Sequence, residues 1–104
     1  MMETIKNILG LGSSVNFADL LAKGAIIVDV RTPEEYKNGH IRGSINIPLG
    51  TLEKNLSKIN KNAPVITCCA SGMRSASAKS ILLEHGYKEV YNGGGWMSLK
   101  NKLS

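Results

Sequence analysis

The sequence predicts a small α/β domain with a parallel sheet and helices on both faces. Strand-like apolar runs alternate with helix-like segments along the chain, which is the order that gives a parallel sheet. Two of the runs, residues 25–30 and 65–68, are apolar at successive positions, which is typical of strands covered on both faces. The 104 residues suffice for one such domain and are too few for two.

The beginning of the chain is expected to stand apart from this domain. Residues 3–9 predict a short amphipathic helix, and the glycines and serines of residues 10–14 predict a hinge. The domain is then expected over residues 15–104. Its first helix is expected to start at the N-cap Asn16 and to stop at Gly24.

A strand and a well-capped helix follow. Residues 25–30 predict a buried strand. Thr32 is an N-cap candidate, Pro33 suits the first helical position, and acids occupy the first turn. This helix is expected to be short because Gly39 follows soon after.

The rest of the chain continues the alternation. Its expected elements are a short strand over 44–47 closed by Pro48, a helical segment over 49–59, a buried strand over 65–68, a helix over 75–85 capped by Gly86, a strand over 89–91, a turn over 92–95 and a closing helix over 96–103. The carboxyl ends of parallel strands open into the loops where sites form, so Asp29 to Arg31 and the loop after Cys69 are expected at one edge.

Composition argues against nucleic-acid and membrane functions. The formal net charge is +5, but the lysines are dispersed and no aromatic-rich strand or basic helix accompanies them, so a solvated basic surface is expected. No apolar run approaches the roughly 20 residues of a membrane-spanning helix. The first ten residues lack the basic-then-hydrophobic order of a secretory signal, so a cytoplasmic location is expected.

The stretch from Val65 to Ser75 predicts a reactive cysteine. A β-branched run leads into Cys69, a short loop with serine and glycine follows, and Arg74 and Ser75 stand where a helix pattern begins. A loop bent back toward a helix N-terminus directs several N–H groups at one spot, where they lower a thiol pKa and hold an anion. The pattern therefore predicts an enzyme that acts on an anion through a sulfur nucleophile.

Two adjacent cysteines leave two reaction classes open. Counted from Cys68, Arg74 lies at the C-x5-R spacing of cysteine-dependent phosphatases, and counted from Cys69 the spacing is C-x4-R. The shorter loop suits sulfur transfer, whereas the longer one makes a wider cradle suited to phosphate. Neighbouring strand residues point to opposite faces, so Cys68 is expected to be a small buried residue and Cys69 the nucleophile.

Four motifs then occur in order over roughly residues 15–99. They read DVRTPEEY at 29–36, GHIRGSINIP at 39–48, CASGMRS at 69–75, and GY at 86–87 with VYNGG at 90–94. In this order they resemble the rhodanese family, the single-domain sulfurtransferases that form a persulfide. The resemblance implies a rhodanese-like domain for residues 15–104.

The same resemblance implies a function and a set of site residues. Sulfane sulfur would move from thiosulfate or another persulfide donor to a thiol, a protein or cyanide through a persulfide on the catalytic Cys69. The donor is a small anion held by Arg74 and by the loop amides, so the implied substrate-binding residues are Ala70, Ser71, Gly72, Met73, Arg74 and Ser75. No metal and no organic cofactor is required. The alternatives are a phosphatase or arsenate-type enzyme using Cys68 and a non-catalytic binding module.

Other polar and aromatic residues are expected to be structural. Asp29 is expected in an ion pair, His40 in a turn, His85 at a helix end and Trp96 in the core. The glycines of residues 93–95 lack the Lys-Ser/Thr of a phosphate loop, and we expect a turn that passes close to the Cys69 loop.

Overall fold

A computed structural model describes residues 15–104. The predicted helix over 3–9 and the hinge over 10–14 lie outside the described residues. The described part contains a four-stranded parallel sheet in the order β2-β1-β3-β4. The strands are β1 (Ile26–Asp29), β2 (Ile45–Asn46), β3 (Val65–Cys69) and β4 (Val90–Gly95).

Helices cover both faces of this sheet. They are α1 (Phe17–Ala22), α2 (Pro33–Lys37), a 3₁₀ helix (Leu49–Lys58), α3 (Met73–Glu84) and α4 (Trp96–Leu103). The 3₁₀ helix and α3 pack on one face, and α1 and α4 pack on the other. Among residues 15–104, no helix combines the length and the apolar character needed to cross a membrane.

Side-chain alternation along β3 explains why both faces are covered. Val65 and Cys69 pack into the core that faces α3, whereas Ile66 and Cys68 pack into the core that faces α4. All five residues of β3 are buried. The predicted α/β fold with a parallel sheet between two helical layers is therefore confirmed.

Three local capping signals in the sequence are confirmed. Asn16 caps α1 by accepting a hydrogen bond from the N–H of Asp19 at 3.0 Å. Thr32 and Glu35 form a complete capping box at the start of α2. Gly86 follows α3 with a φ of +92°, which favours glycine, and its N–H donates to the Leu83 carbonyl.

Three predicted elements differ from the structure. The predicted helix over 75–85 begins earlier, at Met73, because the loop after β3 closes directly onto the helix. The predicted helical segment over 49–59 is a 3₁₀ helix over 49–58 with a kink at Asn55. The predicted turn over 92–95 is wrong, since these residues extend β4 and Gly95 pairs with Cys69.

Candidate active site

Cys69 lies at the point where β3 ends and the loop to α3 begins. Residues 69–75, the Cys69 loop, return to the start of α3 within a few residues. Gly72 makes this possible because its φ of +108° lies in the left-handed region that side chains disfavour. The amino end of the 12-residue helix α3 therefore faces the cysteine sulfur.

Backbone N–H groups of the loop converge on the Cys69 sulfur. Gly72 N donates to Sγ at 2.9 Å, and Ser75 N donates to Sγ at 3.3 Å. The N–H groups of Met73 and Arg74 belong to the first turn of α3, where no intrahelical acceptor exists. The loop thus forms a cradle of donors around the sulfur.

This environment favours the thiolate. Cys69 is 1% exposed, and burial alone raises the pKa of a thiol. Hydrogen bonds from the Ser75 side chain and from the N–H groups of Ser75, Gly72 and Ser71 outweigh burial, so the pKa of Cys69 is lowered. A thiolate is the nucleophilic form of cysteine, so the cradle favours the nucleophilic form of Cys69.

The Ser75 hydroxyl has three neighbours and one proton to donate. Its Oγ lies 2.6 Å from Asn92 Oδ1, 3.0 Å from the Gly72 carbonyl and 3.5 Å from Cys69 Sγ. Gly94 N donates to Asn92 Oδ1 at 2.8 Å, which fixes that oxygen as an acceptor. When Cys69 ionises, the Ser75 proton can turn from Asn92 to the thiolate.

Cys68 has the opposite character. It is fully buried on the other face of the sheet, within the core that contains Leu99. Burial, followed by the negative charge of Asp29, raises the pKa of Cys68 to about 12. Cys68 is therefore a buried core residue, as the alternation of side chains along the strand predicts.

The Arg74 guanidinium is already paired with a carboxylate. Its Nη1 donates to Glu35 Oε1 at 2.8 Å and its Nη2 donates to Glu35 Oε2 at 3.1 Å. The same Oε1 accepts from the Thr32 N–H at 2.9 Å. The expected anion-binding arginine is thus held by a carboxylate from α2.

The other loop residues surround the mouth of the site. Met73 is 79% exposed, and Ala70 and Ser71 are exposed. Gly95 passes so close to the loop that a Cβ there would lie 2.8 Å from the Ala70 carbonyl oxygen. Although the predicted turn is wrong, the predicted close approach of the glycine run to the loop is confirmed.

Asp29 and Arg31 form a buried ion pair beside the site, as expected for Asp29. Arg31 Nη2 lies 2.8 Å from Asp29 Oδ2, and the guanidinium carbon lies 4.6 Å from the centre of the Trp96 ring. Trp96 is partly buried against the core of the α4 face, as expected. Within residues 15–104, no three His, Cys, Asp or Glu side chains come close enough together to hold a metal ion.

Neither histidine faces the sulfur cradle. His40 Nδ1 lies 2.7 Å from the Tyr36 carbonyl oxygen, and its ring stacks on that of Tyr36. His85 Nε2 lies 3.2 Å from Glu53 Oε2 at the far end of α3. Both contacts agree with the expected structural roles.

Comparison with known proteins places this fold and loop in one family. The family model described as the rhodanese-like domain matches residues 14–102. The chain belongs to the rhodanese-like family. The predicted family is therefore confirmed over most of the chain.

Relatives of this rhodanese-like chain include named sulfurtransferases. The thiosulfate sulfurtransferase PspE of Escherichia coli (strain K12) is 43% identical over 70 residues, covering 65% of this chain and 67% of PspE. The thiosulfate sulfurtransferase GlpE of Stutzerimonas stutzeri (strain A1501) is 37% identical over 76 residues, covering 73% of this chain and 70% of GlpE. YrkF of Bacillus subtilis (strain 168), a putative sulfur carrier protein, is 42% identical over 66 residues, covering 64% of this chain and 36% of YrkF.

Solved structures include other rhodanese-like domains. The human single-domain sulfurtransferase TSTD1 aligns with a TM-score of 0.74 at 29% identity, covering 85% of this chain and 92% of that chain. A structure described as a rhodanese with anions from E. coli aligns with a TM-score of 0.68 at 39% identity, covering 72% of this chain and 91% of that chain. The reduced CoADR-RHD of Bacillus anthracis aligns at 0.70 and 36% identity, covering 82% of this chain and 15% of that one. The domain thus occurs both in short chains and within much longer ones.

Sequence reasoning missed two residues of this rhodanese-like site. Glu35 was assigned only to the first turn of a helix, although it also holds Arg74 from 39 positions away. Asn92 was assigned to a turn, although its Oδ1 accepts a hydrogen bond from the Ser75 hydroxyl. The T-x-x-E pattern of the capping box identifies Glu35 as an ordered carboxylate, but only the folded sheet brings it to Arg74.

Proposed function

We propose that this protein is a sulfurtransferase that carries sulfane sulfur as a persulfide on Cys69. The observation that supports it best is the Cys69 sulfur, which is buried and accepts hydrogen bonds from Gly72 N and Ser75 N. Relatives named thiosulfate sulfurtransferase support the same activity. The sulfur donor would be thiosulfate or another small persulfide donor.

Loading would begin with attack of the Cys69 thiolate on the outer sulfur of the donor. A sulfur–sulfur bond forms to Cys69 as the bond inside the donor breaks, and thiosulfate leaves as sulfite with the electron pair of that bond. The enzyme is left with a Cys69 perthiolate. N–H groups at the start of α3, including those of Met73 and Arg74, are placed to stabilise charge on the added outer sulfur.

Unloading would return the cysteine to its starting form. A thiolate of a small molecule or of a protein, or cyanide in an assay, attacks the outer sulfur and takes it away. Cys69 leaves as the thiolate that the cradle stabilises. The reaction therefore needs neither metal nor organic cofactor, and its kinetics are ping-pong.

The phosphatase alternative requires a nucleophile at Cys68. Burial raises the pKa of Cys68 to about 12, and its side chain lies on the face of the sheet away from the Cys69 cradle. A protonated thiol in an apolar core is a poor nucleophile. The sulfur-transfer proposal therefore rests on Cys69 alone.

Intact-protein mass spectrometry after thiosulfate treatment tests this proposal. We expect wild type to gain one sulfur, about 32 Da for a covalent persulfide, and to lose it on addition of cyanide. Cys68→Ser is the matched control and should load like wild type, whereas Cys69→Ser should gain nothing. Loading that depends on Cys68, or no loading of the reduced wild-type protein by thiosulfate or by any persulfide donor, contradicts the proposal.

A further inference from the structure

The pair between Arg74 and Glu35 changes the charge of the site that an anionic donor would meet. The two terminal guanidinium nitrogens each donate to a different carboxylate oxygen of Glu35, at 2.8 and 3.1 Å. Hydrogen bonds with Arg74, and then with the Thr32 backbone, lower the pKa of Glu35 to about 2. The carboxylate is therefore ionised at neutral pH and occupies the surface of Arg74 that would hold an anion.

Arg31, the arginine of the ion pair beside the site, does not offer a free charge either. Arg31 is 5% exposed and matched by the buried Asp29 carboxylate. Arg74 is close enough to Cys69 for the thiolate charge to raise the pKa of the guanidinium, after the larger effect of the hydrogen bonds with Glu35. With the Cys69 thiolate and Glu35 negative and Arg74 positive, these three groups together carry one negative charge.

We propose that Glu35 is a specificity-determining residue that disfavours dianionic donors and selects donors that bring less negative charge, such as a hydropersulfide R–S–SH and its monoanion. This inference rests on the proposed sulfur transfer through Cys69 and names its donor class. Thiosulfate brings two negative charges to a site whose arginine is already neutralised, so its binding is penalised. A hydropersulfide of a neutral thiol brings at most one negative charge, and its protonated form R–S–SH brings none, so its binding is penalised less.

The chemistry of the favoured donor is balanced without any further reactant. The Cys69 thiolate attacks the outer sulfur of R–S–SH, a new sulfur–sulfur bond forms to Cys69, and the R–S bond to that outer sulfur breaks. The electron pair leaves with R–S⁻, and the proton stays on the transferred sulfur. The total charge of the thiolate and this donor is −1 before and after the step, whereas it is −3 with thiosulfate.

The capping box supplies a clean variant for the test. Glutamine at the third helical position keeps an oxygen that can accept from the Thr32 N–H, so Glu35→Gln removes the charge and retains the cap. Glu34→Gln is the matched control, because Glu34 is an exposed acid of the same helical turn and makes no side-chain contact with Arg74 within the described residues. The two variants change the net charge of the protein equally.

Alkylation of Cys69 measures charge selection without any sulfur transfer. The readout is the rate with iodoacetate, an anion, divided by the rate with iodoacetamide, which is neutral. Glu35→Gln should raise this ratio roughly threefold to tenfold at low salt, because one nearby negative charge is lost. Glu34→Gln should change it less than twofold, and Arg74→Gln added to Glu35→Gln should abolish the gain. An equal ratio in wild type and Glu35→Gln overturns the proposal.

Steady-state kinetics then separates this inference from the function on which it rests. Glu35→Gln should lower KM for thiosulfate by a similar factor and lower KM for a hydropersulfide of a small neutral thiol by a clearly smaller factor. If the alkylation ratio rises as expected but no donor loads Cys69, sulfur transfer is wrong and charge selection by Glu35 stands. If donors load Cys69 but neither the ratio nor KM for thiosulfate changes, sulfur transfer stands and the role of Glu35 is wrong.

Discussion

Two neighbouring residues of β3, Cys68 and Cys69, have thiols in opposite environments. The N–H groups of Gly72 and Ser75 lie within hydrogen-bond distance of Cys69 Sγ, whereas Cys68 is buried among apolar side chains near Asp29. The difference arises because one step along a strand reverses the face to which a side chain points. A single position thus separates the proposed nucleophile from a core residue.

We expect this difference to appear in the pH profile of alkylation by iodoacetamide. The pKa of Cys69 is lowered from 9.0, so its alkylation rate should rise with pH and reach its plateau below the pH at which a free thiol does. Cys68, with a pKa raised to about 12, should stay unmodified over the same range. Mass spectrometry of digested protein assigns the modified residue at each pH.

The denatured protein provides the control for this profile. In denaturant both cysteines lose their surroundings and should react at similar rates with an ordinary thiol profile. Ser75→Ala should slow alkylation of native Cys69 at neutral pH by roughly fivefold to tenfold, because the thiolate loses a hydrogen-bond donor. A native profile in which Cys69 titrates above an ordinary thiol would contradict the role of the cradle.

At the scale of secondary-structure elements, β4 depends on glycines that leave room for its neighbours. A Cβ on Gly93 would lie 2.9 Å from each of Ile66 Cγ2, Leu99 Cδ2 and the Thr67 carbonyl oxygen. These atoms belong to β3 and α4, so glycine lets both elements approach β4. The glycine run is therefore a packing feature of the strand.

Gly93→Ala should destabilise the fold through this contact. We expect a loss of about 1–3 kcal/mol in the free energy of unfolding, which is typical of an overpacked core. Gly50→Ala is the control, because a Cβ at that exposed position meets nothing within 4 Å and should change stability by no more than about 0.5 kcal/mol. Urea unfolding measures both, and equal midpoints for the two variants would show that β4 has room for a side chain.

The same elements show which parts of the fold are readable from sequence. The caps at Asn16 and Thr32 depend on residues within one helical turn, so their pattern is visible in the chain. The glycines of β4 predict a turn because glycine has a flexible backbone and is common in turns. In the structure, Gly93 is required because the side chains of Ile66 and Leu99 leave no room for a Cβ. Local sequence rules therefore identify the ends of helices. They fail where contacts with a neighbouring element determine the conformation.

At the scale of the whole molecule, the site is assembled from segments far apart in the sequence. Cys69 and its loop were predictable because seven consecutive residues contain the sulfur, the glycine and the helix start. The pair between Glu35 and Arg74 was not, since each residue has an adequate local explanation and only the sheet order brings α2 beside α3. Chemistry that lies within one loop can be predicted from the sequence. An ion pair between two distant helices can be identified only once the fold is known.

The Arg31 side chain contacts three segments that are separate in the sequence. It forms an ion pair with Asp29 at the end of β1, donates to the Gly39 carbonyl at 2.7 Å after α2, and lies over the Trp96 ring of α4. Its side chain is 5% exposed. Removing the guanidinium would leave the Asp29 carboxylate buried without its partner, which is costly in a low-dielectric interior.

Arg31→Met should therefore destabilise the whole domain by about 3–5 kcal/mol. For a domain of this size the expected fall in Tm is roughly 10 °C or more. Arg42→Met removes an exposed arginine in the same region of the sequence and should leave Tm nearly unchanged. Adding Asp29→Leu to Arg31→Met should recover part of the loss, because the unpaired buried charge is then removed. Differential scanning calorimetry measures all three variants, and an Arg31→Met protein that melts with Arg42→Met would show that the pair does not hold these segments together.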